Sequence, residues 1–428
     1  MASGTTGERV HGLDALRVAA MLLVIVLHAA IPYMDLPLPG LPWPGGDPTS
    51  AALSHLYWSF RGPSMAVFFV LAGFFAAQLM TTRGAAAFVR QRAARLLVPF
   101  LAATVVVLPV TFCVCAAGWW LAGDCTWDDI RRVKFGSHIQ PELYGPGHLW
   151  FLEDLVVFCA IYWAVRTLWP RRSAFGERRY DRLLVSPWRA LWLAIPTALV
   201  VGVDPTVFTV HHNTFVPTPS SLLHYGVFFA AGTWLHRRRD VLDRLTRRGS
   251  VCELVCALPL FIAVESLVRA RAVGPAAAAD DIALAAALAL FIWLTVFGFF
   301  GLFLTTFTRP RPFVRHLADA SYWAYLVHLP VVVGWQVVLT AAPIPAVLKW
   351  LVAAAATIPL CLWSYGRWVR GGALGALLNG DQREPGRNRR HERTRSSPTA
   401  AGAGWRSPPS PAWRQRRRDG APADAAAR

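Results

Sequence analysis

Arg17 and His28 stand inside a run of apolar residues, Leu13 to Tyr33, where an ionisable side chain is costly and is by default a candidate for function. At about 100° per residue, the eleven steps from Arg17 to His28 turn about 20° past three full turns, so both side chains share one helical face. The rise is about 16 Å. Arg17 then sits at one membrane interface and His28 past the midplane. Imidazole is the usual general base near neutral pH, which makes His28 a candidate base. A neutral histidine bonded to a neighbouring helix, and an interfacial anchor at Arg17, are the plainer readings.

Other residues share this character. Gly147-His148-Leu149-Trp150-Phe151-Leu152-Glu153-Asp154 opens a further apolar run. Trp150 suits a membrane interface, and His148 could cap the helix. Glu153 and Asp154 lie one turn deeper; pointing about 100° apart, at most one is expected to share a cavity with His28. Ser321, Tyr325 and His328 follow i, i+4, i+7 and form one stripe, suited to interhelical hydrogen bonds or to a substrate. Arg61 would suit an anionic acyl or acceptor group, and Glu265 a structural partner. Arg90, Arg92 and Arg95 precede Pro99; Arg92 and Arg95 share a face, either as lipid-facing topology signals or as a phosphate grip.

These residues must be positioned by apolar elements. The chain has 428 residues, 55% hydrophobic and 16% charged, with a mean hydropathy of +0.38. Soluble globular chains carry roughly 25% charged residues, so a water-soluble body, a disordered chain and a disulfide scaffold are all excluded. Ten runs approach the roughly 20 apolar residues that a crossing needs: 13–33, 54–80, 96–121, 149–168, 190–203, 219–235, 250–268, 282–306, 318–340 and 345–368. The first is read as a retained helix, since Asp14, Arg17 and His28 do not suit a signal peptide. With the N-terminus inside, the inner loops near 83–95, 170–190, 236–249 and 307–316 hold nineteen arginines against five basic residues in the outer loops. That asymmetry predicts an all-α polytopic membrane protein, a bundle of about ten transmembrane helices with both termini cytoplasmic.

Residues 1–370 are read as the membrane domain and 371–428 as a disordered basic tail rich in Arg, Pro, Ser and Ala. The tail from 381 supplies +7 of the formal charge of +18, which suits anionic lipid better than nucleic acid. Seven cysteines, most of them within helices, argue against a disulfide framework; a bridge between Cys115 and Cys125 stays open. Cys252 and Cys256 have no paired motif, and no metal site is expected.

The combination resembles the membrane acyltransferase 3 family, in particular its branch of glucan-modifying succinyltransferases. The matching segments are Leu13-Asp14-Ala15-Leu16-Arg17 through His28, Phe68 to Phe74, Arg92-x2-Arg95-x3-Pro99, His148 to Leu152, and Ser321-Tyr322 through His328-Leu329-Pro330. The family usually has Ser-Gly-Phe in the second helix; here Ala72 replaces the serine. The resemblance implies transfer of an acetyl or succinyl group from cytoplasmic acyl-CoA to a hydroxyl of an envelope carbohydrate or related acceptor. The setting would be the inner (plasma) membrane, with acyl-CoA as co-substrate and no permanently bound cofactor. His28, Glu153 and His328 would be catalytic, Glu153 orienting the imidazole. Arg17, Arg61, Arg92, Arg95, His148, Trp150 and Tyr325 would bind substrates. A proton-coupled transporter or flippase using the buried His and Glu groups is the alternative.

Overall fold

A computed structural model describes residues 11–45, 48–169, 181–182, 185–275, 277–372, 374, 375 and 378. In a bilayer every backbone N–H and C=O must be satisfied within the protein, and helices achieve this locally. The described residues form thirteen α-helices joined by short 3₁₀ and π turns, with no β-strand among them. They are α1 (His11–Ala30), α2 (Ala51–Arg92), α3 (Val98–Ala122), α4 (Trp127–Arg132), α5 (Trp150–Leu168), α6 (Arg189–Val203), α7 (Thr206–Thr209), α8 (Pro219–Arg237), α9 (Arg239–Asp243), α10 (Arg247–Val273), α11 (Ala278–Thr306), α12 (Pro312–Thr340) and α13 (Ala346–Ser364).

Among the described residues, seven helical segments are long and apolar enough to cross a membrane. One of them is the continuous run Ala51–Ala122, 72 residues long, which joins α2 to α3 through the π turn Ala93–Leu97. The inner loop expected near 83–95 is therefore helical. Apart from a break at Gly84, its Ala, Arg and Gln residues are good helix formers. The expected runs 190–203 and 219–235 do form helices, but neither meets the criterion for a crossing. At 15 residues α6 is about 22 Å long, short of a hydrocarbon core of about 30 Å. In α8, Ser220, Ser221, His224 and His236 dilute the apolar character. Most of the basic loop 170–190 and the predicted tail lie outside the described residues.

α1 is buried over most of its surface and packs on α2, α11, α12 and α13. α11 is the other central helix, with Leu288, Ile292, Trp293, Val296 and Phe300 fully buried. At the periphery, Leu101, Val105 and Val106 of α3 and Val251, Val255, Leu258 and Ile262 of α10 are exposed apolar stripes of the kind a bilayer covers. Glu265 is buried and structural: it accepts from His55 Nδ1 at 2.5 Å and from Arg269 Nε at 2.9 Å, and Arg269 also reaches Asp35. All seven cysteines are free, Cys115 and Cys125 included.

α2 and α8 cross back to back through two glycines. A Cβ at Gly73 would lie 2.0 Å from Phe229 O, and one at Gly232 2.0 Å from Val70 O. Small residues at such crossings let backbones approach where no hydrophobic force drives helices together. Gly73→Ala and Gly232→Ala should each cost about 1–3 kcal/mol by overpacking, read as a lower thermal midpoint in detergent. Gly226→Ala, whose Cβ would meet only the Phe158 ring at 3.6 Å, should not lower it.

Candidate active site

Two polar levels are built on the pair α1 and α12. At one level Arg17 Nη2 donates to Ala318 O at 2.8 Å, a carbonyl that Ser321 Oγ also meets at 2.8 Å. One turn on, Tyr322 Oη donates to Arg95 O at 2.6 Å. The Arg92 guanidinium lies 5.6 Å over the Phe88 ring, with its Nε buried and unpartnered. One turn of α12 thus touches both the Arg17 group and the Arg92–Arg95 segment. At the other level the His28 and His328 rings are 5.0 Å apart, centroid to centroid, and His148 lies 5.3 Å from His328. Contacts at 17/318 and 28/328 mean that α1 and α12 run parallel, their two polar levels about 15 Å apart.

Carbonyl oxygens can only accept, so they fix the tautomer of each histidine. His28 Nδ1 donates to Val24 O at 2.9 Å, leaving Nε2 as the lone-pair nitrogen. His328 Nδ1 donates to Tyr325 O at 2.7 Å, and its Nε2 is buried without a partner. His148 is reversed: Nε2 donates to Leu326 O at 3.1 Å, and Nδ1 is buried without a partner. Gly147, at φ +53°, takes the left-handed turn that delivers His148, and its N–H donates to Asn213 Oδ1 at 2.8 Å. Tyr325 Oη donates to His148 O at 2.8 Å. The expected orienting carboxylate is replaced by backbone: Glu153 makes no hydrogen bond to an imidazole among the described residues.

A cavity of about 310 Å³ opens beside His28. His148, Trp150, Glu153, Asp154, Arg61 and Tyr225 share its wall. Glu153 and Asp154 both line it, against the expectation of only one. With Trp150 they span an arc of about 100° at the start of α5, and the cavity wraps that arc. Asp154 is buried and its Oδ2 lacks a partner. His328 and Tyr325 stand behind the cavity wall rather than in it, and Arg17, Arg92 and Arg95 lie at the other polar level. Among the described residues no group of three His, Cys, Asp or Glu is placed to hold a metal ion.

Loops close this space. Arg61 donates from Nε to Phe208 O at 3.3 Å and from Nη2 to Val210 O at 3.2 Å, and its cation faces the Trp58 and Phe208 rings. His211 N donates to Pro39 O at 2.8 Å, tying the loop after α7 to the loop after α1. Gln336 clamps the histidine level: Nε2 donates to His28 O at 2.9 Å and Ala29 O at 3.1 Å, while Oε1 accepts from Trp43 Nε1 at 2.9 Å. Gln336 was missed in the sequence, although an amide in an apolar helix is itself a signal for interhelical bonding. Trp43 and Asn213 sit in loops whose pattern gives no such signal.

A family model described as an acyltransferase domain matches residues 10–366. The chain belongs to the acyltransferase 3 family. No curated protein and no solved structure matches it. The match runs from the edge of α1 to the turn after α13 and so contains both polar levels and the cavity. This acyltransferase 3 protein is a multi-pass membrane acyltransferase.

The loop over the cavity has its own pH dependence. Burial, and then the Arg61 cation, hold the His211 imidazole at about 3, against an ordinary value of 6.5. The unfolded chain therefore binds a proton that the folded chain refuses. The contribution of neutral His211 to stability is complete above pH 6.5 and is lost as the pH falls towards about 3. His211→Gln should flatten the acid limb of the thermal midpoint against pH within that window.

Proposed function

We propose that the protein is an O-acyltransferase that moves an acetyl or succinyl group from cytoplasmic acyl-CoA to a hydroxyl of an envelope carbohydrate. The observation that carries this reading is the His28 tautomer: a ring on the cavity wall whose Nδ1–H is held by Val24 O and whose Nε2 is left with its lone pair. In the proposed reaction Nε2 removes the hydroxyl proton as the oxygen attacks the thioester carbon, forming the C–O bond. Collapse breaks the C–S bond, and the thiolate leaves as CoASH with the proton from His28. The products are an ester and CoASH. Asp154 and Glu153 offer acceptor oxygens for further hydroxyls of the acceptor, and Trp150 offers a ring face. The His328 ring backs the His28 ring, edge to face at 5.0 Å. Arg17, Arg92 and Arg95 hold CoA phosphates at the inner level, with both termini cytoplasmic. Arg61, on the cavity wall, suits the free carboxylate of a succinyl donor. Ten crossings of the inner (plasma) membrane would divide the 72-residue run in two and pass α6 and α8 through the bilayer as well.

With purified protein in nanodiscs, His28→Ala should lower kcat for acyl-CoA-dependent thiol release by about 10²- to 10⁴-fold. Arg17→Ala should mainly raise KM for acyl-CoA, by about tenfold. Equal, slow release by wild type and His28→Ala would sink the enzyme reading in this form. Mass spectrometry of envelope glycans should show an acetyl- or succinyl-sized increment in wild-type cells that deletion cells lack, naming donor and acceptor together.

A further inference from the structure

We propose that Arg309, Arg311 and Arg315 form a second phosphate site, which holds the 3′-phosphate and adenine of the CoA donor. This rests on the reading that acyl-CoA is the donor. The three arginines surround a cavity of about 280 Å³ whose lining also includes His11, Asp14 and Phe307. The start of α1 and the linker between α11 and α12 build it. α1 and α11 are drawn together beside it, where a Cβ at Gly12 would lie 2.7 Å from Leu304 Cα. All three arginines are exposed, and among the described residues none of them forms a salt bridge. Asp14 is the one carboxylate in the lining, and it lies 3.8 Å from Arg17. The cavity therefore has a clear excess of positive charge.

Topology accounts for arginines in this linker, but not for their arrangement around a cavity with an aromatic wall. The Phe307 ring stacks on the Phe303 ring at 5.4 Å and carries the Arg311 guanidinium, 5.2 Å from its centroid, at the cavity. An exposed, planar guanidinium held over a ring, with two further arginines beside it, suits stacking on a purine that carries a phosphate. The cavity also adjoins the first arginine level. Asp14 reaches Arg17, and Arg315 stands one turn before Ala318, the carbonyl that Arg17 binds. CoA carries phosphate at two separated places, the 5′-diphosphate and the 3′-phosphate. Two neighbouring arginine groups match that division, with Arg17, Arg92 and Arg95 on the diphosphate. An anionic lipid headgroup shares the phosphate chemistry but has neither purine nor 3′-phosphate.

The test compares acetyl-CoA or succinyl-CoA with the same thioester lacking the 3′-phosphate. Binding and thiol release are measured on full-length protein in nanodiscs of neutral and of anionic lipid. The wild type should prefer the intact donor by about tenfold or more, in Kd and in KM. In R309Q/R311Q/R315Q that preference should collapse while kcat holds, and R309K/R311K/R315K should restore part of it. Size-exclusion profiles check that the variants stay folded, and the comparison of donors on wild type needs no variant at all. Equal preference in wild type and triple variant overturns the assignment, as does a wild type that binds both donors equally. A variant effect seen only in anionic nanodiscs, and equal for both donors, assigns the cluster to lipid and also overturns it. In each of these cases the acyl-CoA reading stands. Absence of binding by either donor to wild type removes the acyl-CoA reading, and this assignment with it.

Discussion

α1 and α12 run parallel and touch through polar groups at two levels. Arg17 meets Ala318 O near one end, and His28 meets the His328 ring near the other. Both helices rise at the same rate, so the eleven-residue spacing on α1 and the ten-residue spacing on α12 fix each other. Neither helix can slide or rotate without breaking both levels together. Gln336 adds a third tie by reaching the carbonyls of His28 and Ala29. The end of α2 with the π turn after it brings Arg92 and Arg95 to this rail, and the turn Gly147–Leu149 with the start of α5 brings His148 and the carboxylates, so their placement has meaning only because the rail is rigid.

The polar atoms left over are as informative as those satisfied. A buried polar group without a partner is costly, more so where lipid offers none. His148 Nδ1, His328 Nε2 and Asp154 Oδ2 are such atoms, all acceptors, and all lie on or just behind the wall of one cavity. A hydroxyl-bearing ligand in the cavity would supply what His148 Nδ1 and Asp154 Oδ2 lack. That inverts the usual stabilising logic of a core and fits a site built to receive donors.

Much of the architecture was legible because lipid imposes a simple code. Apolar runs of crossing length become helices, and all ten expected runs are helical. The shared face of Arg17 and His28 followed from helix periodicity, and so did their assignment to two levels. Tertiary detail was not legible. The partner of His28 Nδ1 is a carbonyl one turn away on the same helix, where a carboxylate such as Glu153 was expected. The expected loop at 83–95 stays helical because its composition carries little to stop it. Trp43, His211 and Asn213 reach the cavity from loops, where no periodicity announces which residue points inward. Gln336 is the exception, since an isolated amide in an apolar helix carries its own signal.

The hydrogen bond from His28 to Val24 O has an evolutionary consequence. A side-chain orienter is a second codon that drift can destroy, whereas a main-chain carbonyl is present whatever residue occupies position 24. His28 therefore keeps its tautomer across any substitution there that leaves the helix intact. Its orientation is inherited with the fold rather than with a partner residue. Pattern searches that look for a histidine paired with an acid will pass over a site of this kind, however many descendants carry it.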